Sequence, residues 1–482
     1  MELNGCFAVV GEDDGGKWQY AAVDRTASFP LFFNSDLEVF DQLNVVGYSP
    51  ELDNKMDRDL YAAAGFCLNR NLLVSGHFQL QAGEFLWHST DSQSFPQGSP
   101  QSSPQDRFQI TQYQEILPDN RKYFDSQSNS IETLSALSEQ VFDRLIEFAQ
   151  GRRILLGLSG GLDSRYLLAA LVERGCKNIL AFTYGRKDSF ELPLAKQVAE
   201  KLEIDWEFVE YSDELLEAYF SPQYEQYQAM AHPYRALPYE QDWFALKQLC
   251  DSGKVDPQNT VFVSGFAADI CSGSWIPKAD RLASISSENE WRKYMATLPK
   301  FFGAVGAGEH AGRIQVNEKR RGGWDREGLI FQIQQWGMRH RMSRYQVNGM
   351  RAAEFFGMEW YLPFLDGDYL DFWSSVPLEQ RIEKTLYREF LHQEYFKPFD
   401  IAEEFQSFAT YRPHDSIITQ AKMKAPQWFK KLVKPMYLKR GVADPNNLYY
   451  IRQRIAGMGL FPDREEYNLN QVEALHLLNK PK

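Results

Sequence analysis

Apolar residues follow two rhythms along this chain. Up to about residue 90 they fall in short β-rich runs broken by turn residues. The stretch "CFAVVGEDDGGKWQYAAVD" sets two such runs around an Asp/Gly turn, which predicts a hairpin. "SFPLFFN" and "LVSGHFQLQAGEFLWH" keep the β character. From about residue 130 the spacing becomes helical in "IETLSALSEQVFDRLIEFAQG", which stops at Gly151. "RILLGLS" then reads as a buried strand and "DSRYLLAALVERG" as a helix closed by Gly175. "NILAFTYG" is a strand, "SFELPLAKQVAEKLEI" a helix and "WEFVEYS" a strand. Alternation at this spacing predicts an α/β fold with a parallel sheet and crossover helices. Beyond about residue 215 the pattern is mostly helical, with one more apolar strand at "TVFVSGF". Two stretches carry no core-facing pattern. Residues 89–107, rich in Ser, Gln, Pro and Gly, predict a mobile loop. The basic run "QAKMKAPQWFKKLVKPMYLKRG" predicts a solvated helical face.

Composition narrows the class. A chain of 482 residues is too long for one ordinary core, so two domains are expected. Hydrophobic content of 44% and aromatic content of 14% suffice to bury them. A net charge of −13 argues against a partner gripped through nucleic-acid phosphates. The five cysteines are scattered without a CxxC pair, which argues against a zinc site or a disulfide framework. "MELNGCFAVV" does not read as a signal peptide, and no window approaches the roughly 18 apolar residues of a membrane span. The expected compartment is the cytoplasm.

The chemistry concentrates at "LLGLSGGLDSRY". Leu158, Ser159, Gly160 and Gly161 fall where a buried strand stops and a helix starts. Parallel strands deliver ligands to their carboxyl ends. Glycines let backbone amides approach an anion closely, and a helix N-terminus adds partial positive charge. The loop therefore reads as a phosphate cradle. Asp163 would repel a bare phosphate, but a magnesium ion between the two removes the conflict, since Mg²⁺ is held by one or two carboxylates plus phosphate oxygens.

The run Ser159 to Ser164, S-G-G-L-D-S, resembles the pyrophosphate loop of the ATP pyrophosphatases. Three further stretches resemble the asparagine synthetase superfamily within that group. In "VFVSGFAADICSGSWIP", Ser264, Gly265, Ala268 and Asp269 keep the register of the family's S-G-E-G-A-D-E, while Phe266 and Ile270 replace its two glutamates. Pro363, Phe364, Leu365 and Asp366 match its P-F-L-D block. Lys384 and Arg388 match its K-x-x-x-R, and "AFTYGRKDSFELPLAKQVA" resembles its adenine-holding segment. The resemblance implies ATP bound by the cradle, with Thr183, Tyr184 and Gly185 against the adenine and Glu191 at a family acidic position. It implies Mg²⁺ on Asp163 and Asp269, and Lys384 and Arg388 as catalytic cations. It also implies a substrate carboxylate that attacks the α-phosphate and an amine that then displaces AMP. With Phe266 in place of a glutamate, the candidate bases are Glu240, Asp242 and His232.

The N-terminal stretch resembles only the rear half of that family's glutaminase, through Asp24-Arg25, Pro30-Leu31, Phe32-Phe33 and Gly83. The implied organisation is a truncated, Ntn-hydrolase-like β-rich domain at 1–125, an ATP pyrophosphatase domain at 126–400 and a helical extension at 401–482. Cys6 lies in a strand-like run and reads as a core residue, not a nucleophile. The amine would then be free ammonia, ammonia from a separate glutaminase, or part of the substrate. "GFAADICSGSWIP" resembles synthetase-like proteins of surface-polysaccharide clusters, which implies a carboxylated sugar as acceptor, with Trp275 and Arg235 suited to it. Other readings stay open: intramolecular amide closure, as in lasso-peptide cyclases or β-lactam synthetases; a tRNA-modifying ATP pyrophosphatase; and a binding module. The purified protein is expected to release no glutamate from glutamine; rapid release would overturn the reading of Cys6.

Overall fold

The computed structural model describes residues 4–16, 18–42, 55–89, 108–113, 126–231, 234–268, 270–277, 326–401, 444–461 and 468–479, with Ile285, Ser287, Glu290, Trp291 and Tyr294. The Ser/Pro-rich stretch from residue 90 and the basic run at 420–441 lie outside the described residues, as do His232 and Asp269.

The N-terminal part is built of antiparallel sheet. Strands β1 (Ala8–Glu12) and β2 (Trp18–Val23) form the expected hairpin, with Ala8 opposite Val23. The Asp13 side chain accepts from the Trp18 amide across the turn. Strands β3 (Phe32–Asn34), β4 (Val39–Phe40) and β5 (His77–Gln79) make a small second sheet. Strands β6 (Glu84–Ser89) and β7 (Phe108–Gln112) extend the first, in the order β1-β2-β6-β7. The loop after β2 turns on Asp24, whose buried carboxylate accepts from the amides of Phe7, Thr26 and Ser28 and from both hydroxyls.

The helix Gln127–Ala149 leads into the second sheet. Ser126 caps its start, and Gln150 ends it in a left-handed conformation. Strands β8 (Arg153–Gly157), β9 (Ile179–Gly185), β10 (Asp205–Glu210), β11 (Thr260–Val263) and β12 (Glu359–Tyr361) form a parallel sheet in the order β10-β9-β8-β11-β12. Ile154–Leu156, Ile179–Phe182 and Val261–Val263 are buried, as a sheet covered on both faces requires. The chain steps outward from β8 to β10, then returns to the other side of β8 with β11. That reversal makes a switch point between β8 and β11, and the crevice outside their carboxyl ends is where such sheets bind ligands.

Tyr166, on the helix Leu162–Glu173, anchors the core behind that crevice. It is fully buried against Phe142, Phe364, Phe390 and Tyr395, and its hydroxyl meets that of Ser138 at 2.5 Å. The P-F-L-D block serves this packing: Phe364 stacks on Tyr166, and Asp366 caps the helix Gly367–Ser374 and accepts from Arg144 at 2.6 Å. The antiparallel part is clamped to the same surface. Arg25 forks onto Asp371, and Phe29 stacks on Trp360. Tyr166→Ala is expected to cost about 3–5 kcal/mol, because the aromatic cage around it cannot collapse into the void. Urea unfolding checks this.

Candidate active site

The loop after β8 is a self-braced turn. The Ser159 amide donates to the Ser164 hydroxyl at 3.0 Å, and the Gly161 amide to the Ser159 hydroxyl at 3.1 Å. Arg165 donates to the Gly161 carbonyl at 3.0 Å. The helix Leu162–Glu173 then starts on Gly161 with no side-chain cap. A helix N-terminus without a side-chain cap favours an anion in front of it.

Asp163 stands in that first turn and accepts from the Tyr387 hydroxyl at 2.9 Å. The loop after β11 closes over it. A Cβ on Gly265 would lie 3.3 Å from the Asp163 Cβ, a tight contact that the glycine avoids. Just beyond, Ala267 holds a left-handed backbone (φ 83°). Glu383 and Lys384 do the same (φ 56° and 60°), and Lys384 caps the helix Thr385–Leu391 from outside it. Strain of this kind persists where surrounding structure holds it, and it clusters at functional sites.

These elements enclose a cavity of about 410 Å³, within the range of small-ligand sites. Leu158, Ser159, Gly161, Asp163 and Ser164 line it from the loop after β8. Ser264, Gly265 and Phe266 line it from the loop after β11, Thr183, Tyr184 and Glu191 from β9 and the segment that follows, and Lys384 from the residue before the helix Thr385–Leu391. Three of the expected residues do not line it. Gly160 is buried and does not line the cavity. Gly185 is covered by Pro445 and Asn446, which line the cavity in its place. Arg388 is exposed and outside the cavity, because Lys384 precedes the helix and the two do not share a helical face. Thr183 spends its side chain on structure: it donates to the Leu158 carbonyl at 2.7 Å and accepts from Trp206 at 2.9 Å.

The wall at Phe266 is aromatic, with Tyr239 edge-on at 5.8 Å. Of the candidate bases, Asp242 lines the cavity and Glu240 does not. Burial raises the Asp242 carboxyl to about 6, against a smaller lowering by the Tyr184 hydroxyl. Burial, then the Asp242 charge, pushes Glu240 up to about 7 despite a lowering backbone hydrogen bond, and burial alone raises Glu191. Arg235 is not at the site. It is fully buried, donating to Gln79 at 2.9 Å and to the Ser343 carbonyl at 2.6 Å. Trp275 lies outside the cavity, flat on Gly337, with Arg341 over its ring at 5.5 Å. Cys6 is half-buried just before β1, and burial, followed by the Asp24 charge, pushes its thiol far above the range of a reactive thiolate.

The asparagine synthase family model matches residues 132–398, more than half of the chain and both loops of the crevice. The chain belongs to the asparagine synthase family. That family is one of ATP-using carbon–nitrogen ligases, with the pyrophosphate-loop sheet found here. Among solved structures, the chain is similar to the NH3-dependent NAD synthetase from Campylobacter jejuni subsp. jejuni NCTC 11168 in complex with the nitrate ion, at 15% identity and a TM-score of 0.21, over 30% of this chain and 58% of that one. It is similar to the NMN synthetase from Francisella tularensis at 15% identity and a TM-score of 0.21, over 32% of this chain and 60% of that one. It thus spans about three fifths of the length of each. No curated protein matches the chain. No helix among the described residues is long and apolar enough to cross a membrane.

Sequence reasoning missed Tyr387, Tyr239, Gln241, Pro445 and Asn446. Tyr387 was open to discovery, since it sits inside K-x-x-x-R. Pro445 and Asn446 have no local signal, because they reach the cavity from far along the chain. The Asp242 shift has a consequence for stability. The unfolded carboxyl titrates near 3.8 and the folded one near 6, so between about pH 4 and 6 the native state holds more protons. Its contribution is present at low pH and is lost as pH rises through that window. Asp242→Asn is expected to flatten this slope and to stabilise the fold at pH 8 by about 2 kcal/mol, allowing for water reaching the cavity. Urea melts across pH 4–8 check it.

Proposed function

We propose that this chain is an ATP-dependent, amide-forming ligase that activates a substrate carboxylate and transfers an amine to it. The observation that carries the reading is the joining of the Ser159–Ser164 loop, Asp163, Gly265 and Lys384 around one cavity at the switch point. Uncapped first-turn amides at Leu162–Glu173 suit the β- and γ-phosphates of ATP. Among the described residues, Asp163, Glu191 and Asp242 line the cavity against one cation, Lys384, so a polyanion fits there with a counter-ion. Magnesium suits this donor set, with Asp163 as one ligand and Asp269, outside the described residues, proposed as a second. When bound it would screen the phosphate charge.

The chain's own residues then do four things. The loop amides orient the phosphates. Tyr387 fixes the Asp163 carboxylate by its hydrogen bond. Lys384 places its ammonium where negative charge grows on the α-phosphate as the substrate carboxylate attacks and pyrophosphate leaves. Phe266 and Tyr239 exclude water from the activated acyl group before the amine attacks its carbon and AMP departs. Asp242 is the cavity carboxylate proposed to take the amine's proton, its raised affinity for protons suiting a base. The acceptor is proposed to be a carboxylated sugar, a reading that rests on the resemblance of the stretch from Gly265 to Pro277 to synthetase-like proteins of surface-polysaccharide clusters. The nitrogen is proposed to come from ammonia, free or supplied by a separate glutaminase.

The test is ATP turnover with glucuronate- and galacturonate-type nucleotide sugars, with and without ammonium. AMP and pyrophosphate should form together with an amide product, and ADP formation instead would refute the reading. AMP formation that ignores ammonium would point to an amine within the substrate. Lys384→Ala is expected to lower turnover on the order of 100-fold while the unfolding midpoint holds.

A further inference from the structure

The C-terminal segment supplies two residues to the cavity that no family motif contains. The family match ends at residue 398, yet Pro445 and Asn446 line the same cavity as the phosphate loop. The strap that carries them is fixed at several points. The Arg186 amide donates to the Pro445 carbonyl at 2.7 Å. The Asp444 carboxylate accepts from the amides of Leu448 and Tyr449, both at 2.9 Å. Asn447 donates to the Tyr211 carbonyl at 3.0 Å and to Asp213 at 2.9 Å. The fit over β9 is close: a Cβ on Gly185 would lie 2.6 Å from the Pro445 carbonyl oxygen and 3.2 Å from the Asn446 Oδ1.

This places the Asn446 amide over the end of β9, the strand that pairs with β8. Gln241 lines the cavity beside it, with its Oε1 3.4 Å from the Asn446 Nδ2. Adjacent strand ends lie about 4.8 Å apart, so a triphosphate over β8 leaves its nucleoside over β9. A carboxamide presents one donor and one acceptor side by side. Adenine offers the complement: its 6-amino group donates and a neighbouring ring nitrogen accepts. A guanine edge, with a carbonyl at that position, meets the amide oxygen with an acceptor.

We propose that the strap carboxamide of Asn446, steadied by Gln241, reads the 6-amino edge of adenine and gives this site its nucleotide specificity. The inference rests on the nucleotide-binding reading above, and the experiment separates the two. Binding to the full chain with magnesium is measured by calorimetry, using α,β-methylene ATP and its analogue lacking the 6-amino group. The wild type should bind the first and lose about ten- to a hundredfold with the second, the range of one good edge contact. Asn446→Leu should bind methylene ATP more weakly by a similar factor and no longer distinguish the two nucleotides. Gln241→Leu, measured in parallel, should lose part of the discrimination. A wild type that binds neither nucleotide sinks the nucleotide reading itself. A wild type that binds both equally, or an Asn446→Leu that still penalises the missing amino group as the wild type does, overturns the strap assignment and leaves the ligase reading standing. A variant with a wild-type unfolding midpoint and no binding at all also counts against it, since one edge contact is worth less than that.

Discussion

Strand β11 lies against β8, with Val261 opposite Ile154 and Val263 opposite Leu156. Every feature of the site depends on that pairing. It brings together two loops separated by about a hundred residues of sequence, and it does so at the strand ends where the sheet order reverses. The contact between Gly265 and Asp163 is the local expression of it. Without a Cβ on the first, the second can stand in the first turn of its helix and still receive the Tyr387 hydroxyl from a third element. Chemistry at this crevice is therefore a property of strand packing before it is a property of any side chain.

Much of this was legible in the sequence. The strand–helix alternation from Arg153 to Glu210 follows from its apolar rhythm, because a buried parallel strand and an amphipathic helix leave different patterns. The phosphate loop was legible too, since its geometry is made by neighbours in sequence. The K-x-x-x-R match implied two cations at the site, and only the first lines the cavity. Residues four apart share a face only when both are helical. Lys384 is instead the left-handed cap, so its side chain leaves in a direction that Arg388 does not share. Arg235 misled for a different reason. Its charge suggested an accessible ligand, but tertiary packing buries it between Gln79 and Ser343.

The site has a cost to the fold. Asp242 in the cavity, like Glu240 and Glu473 outside it, holds its proton more tightly than in water, chiefly because burial penalises the charged form. The left-handed pair Glu383–Lys384 adds backbone strain, on the order of 1–2 kcal/mol per residue. Neither feature helps the protein to fold. Tyr387 ties the cage to the crevice, since it packs edge-on against Tyr166 and donates its hydroxyl to Asp163.

The strap over Gly185 bears on how the protein is made. Asn446 follows Gly185 by 261 residues, the difference of their positions. At a ribosomal pace of about 5–20 residues per second, the sheet end waits more than ten seconds for its cover. During synthesis the end of β9 therefore stands uncovered, and a segment made much later is the one that seals it.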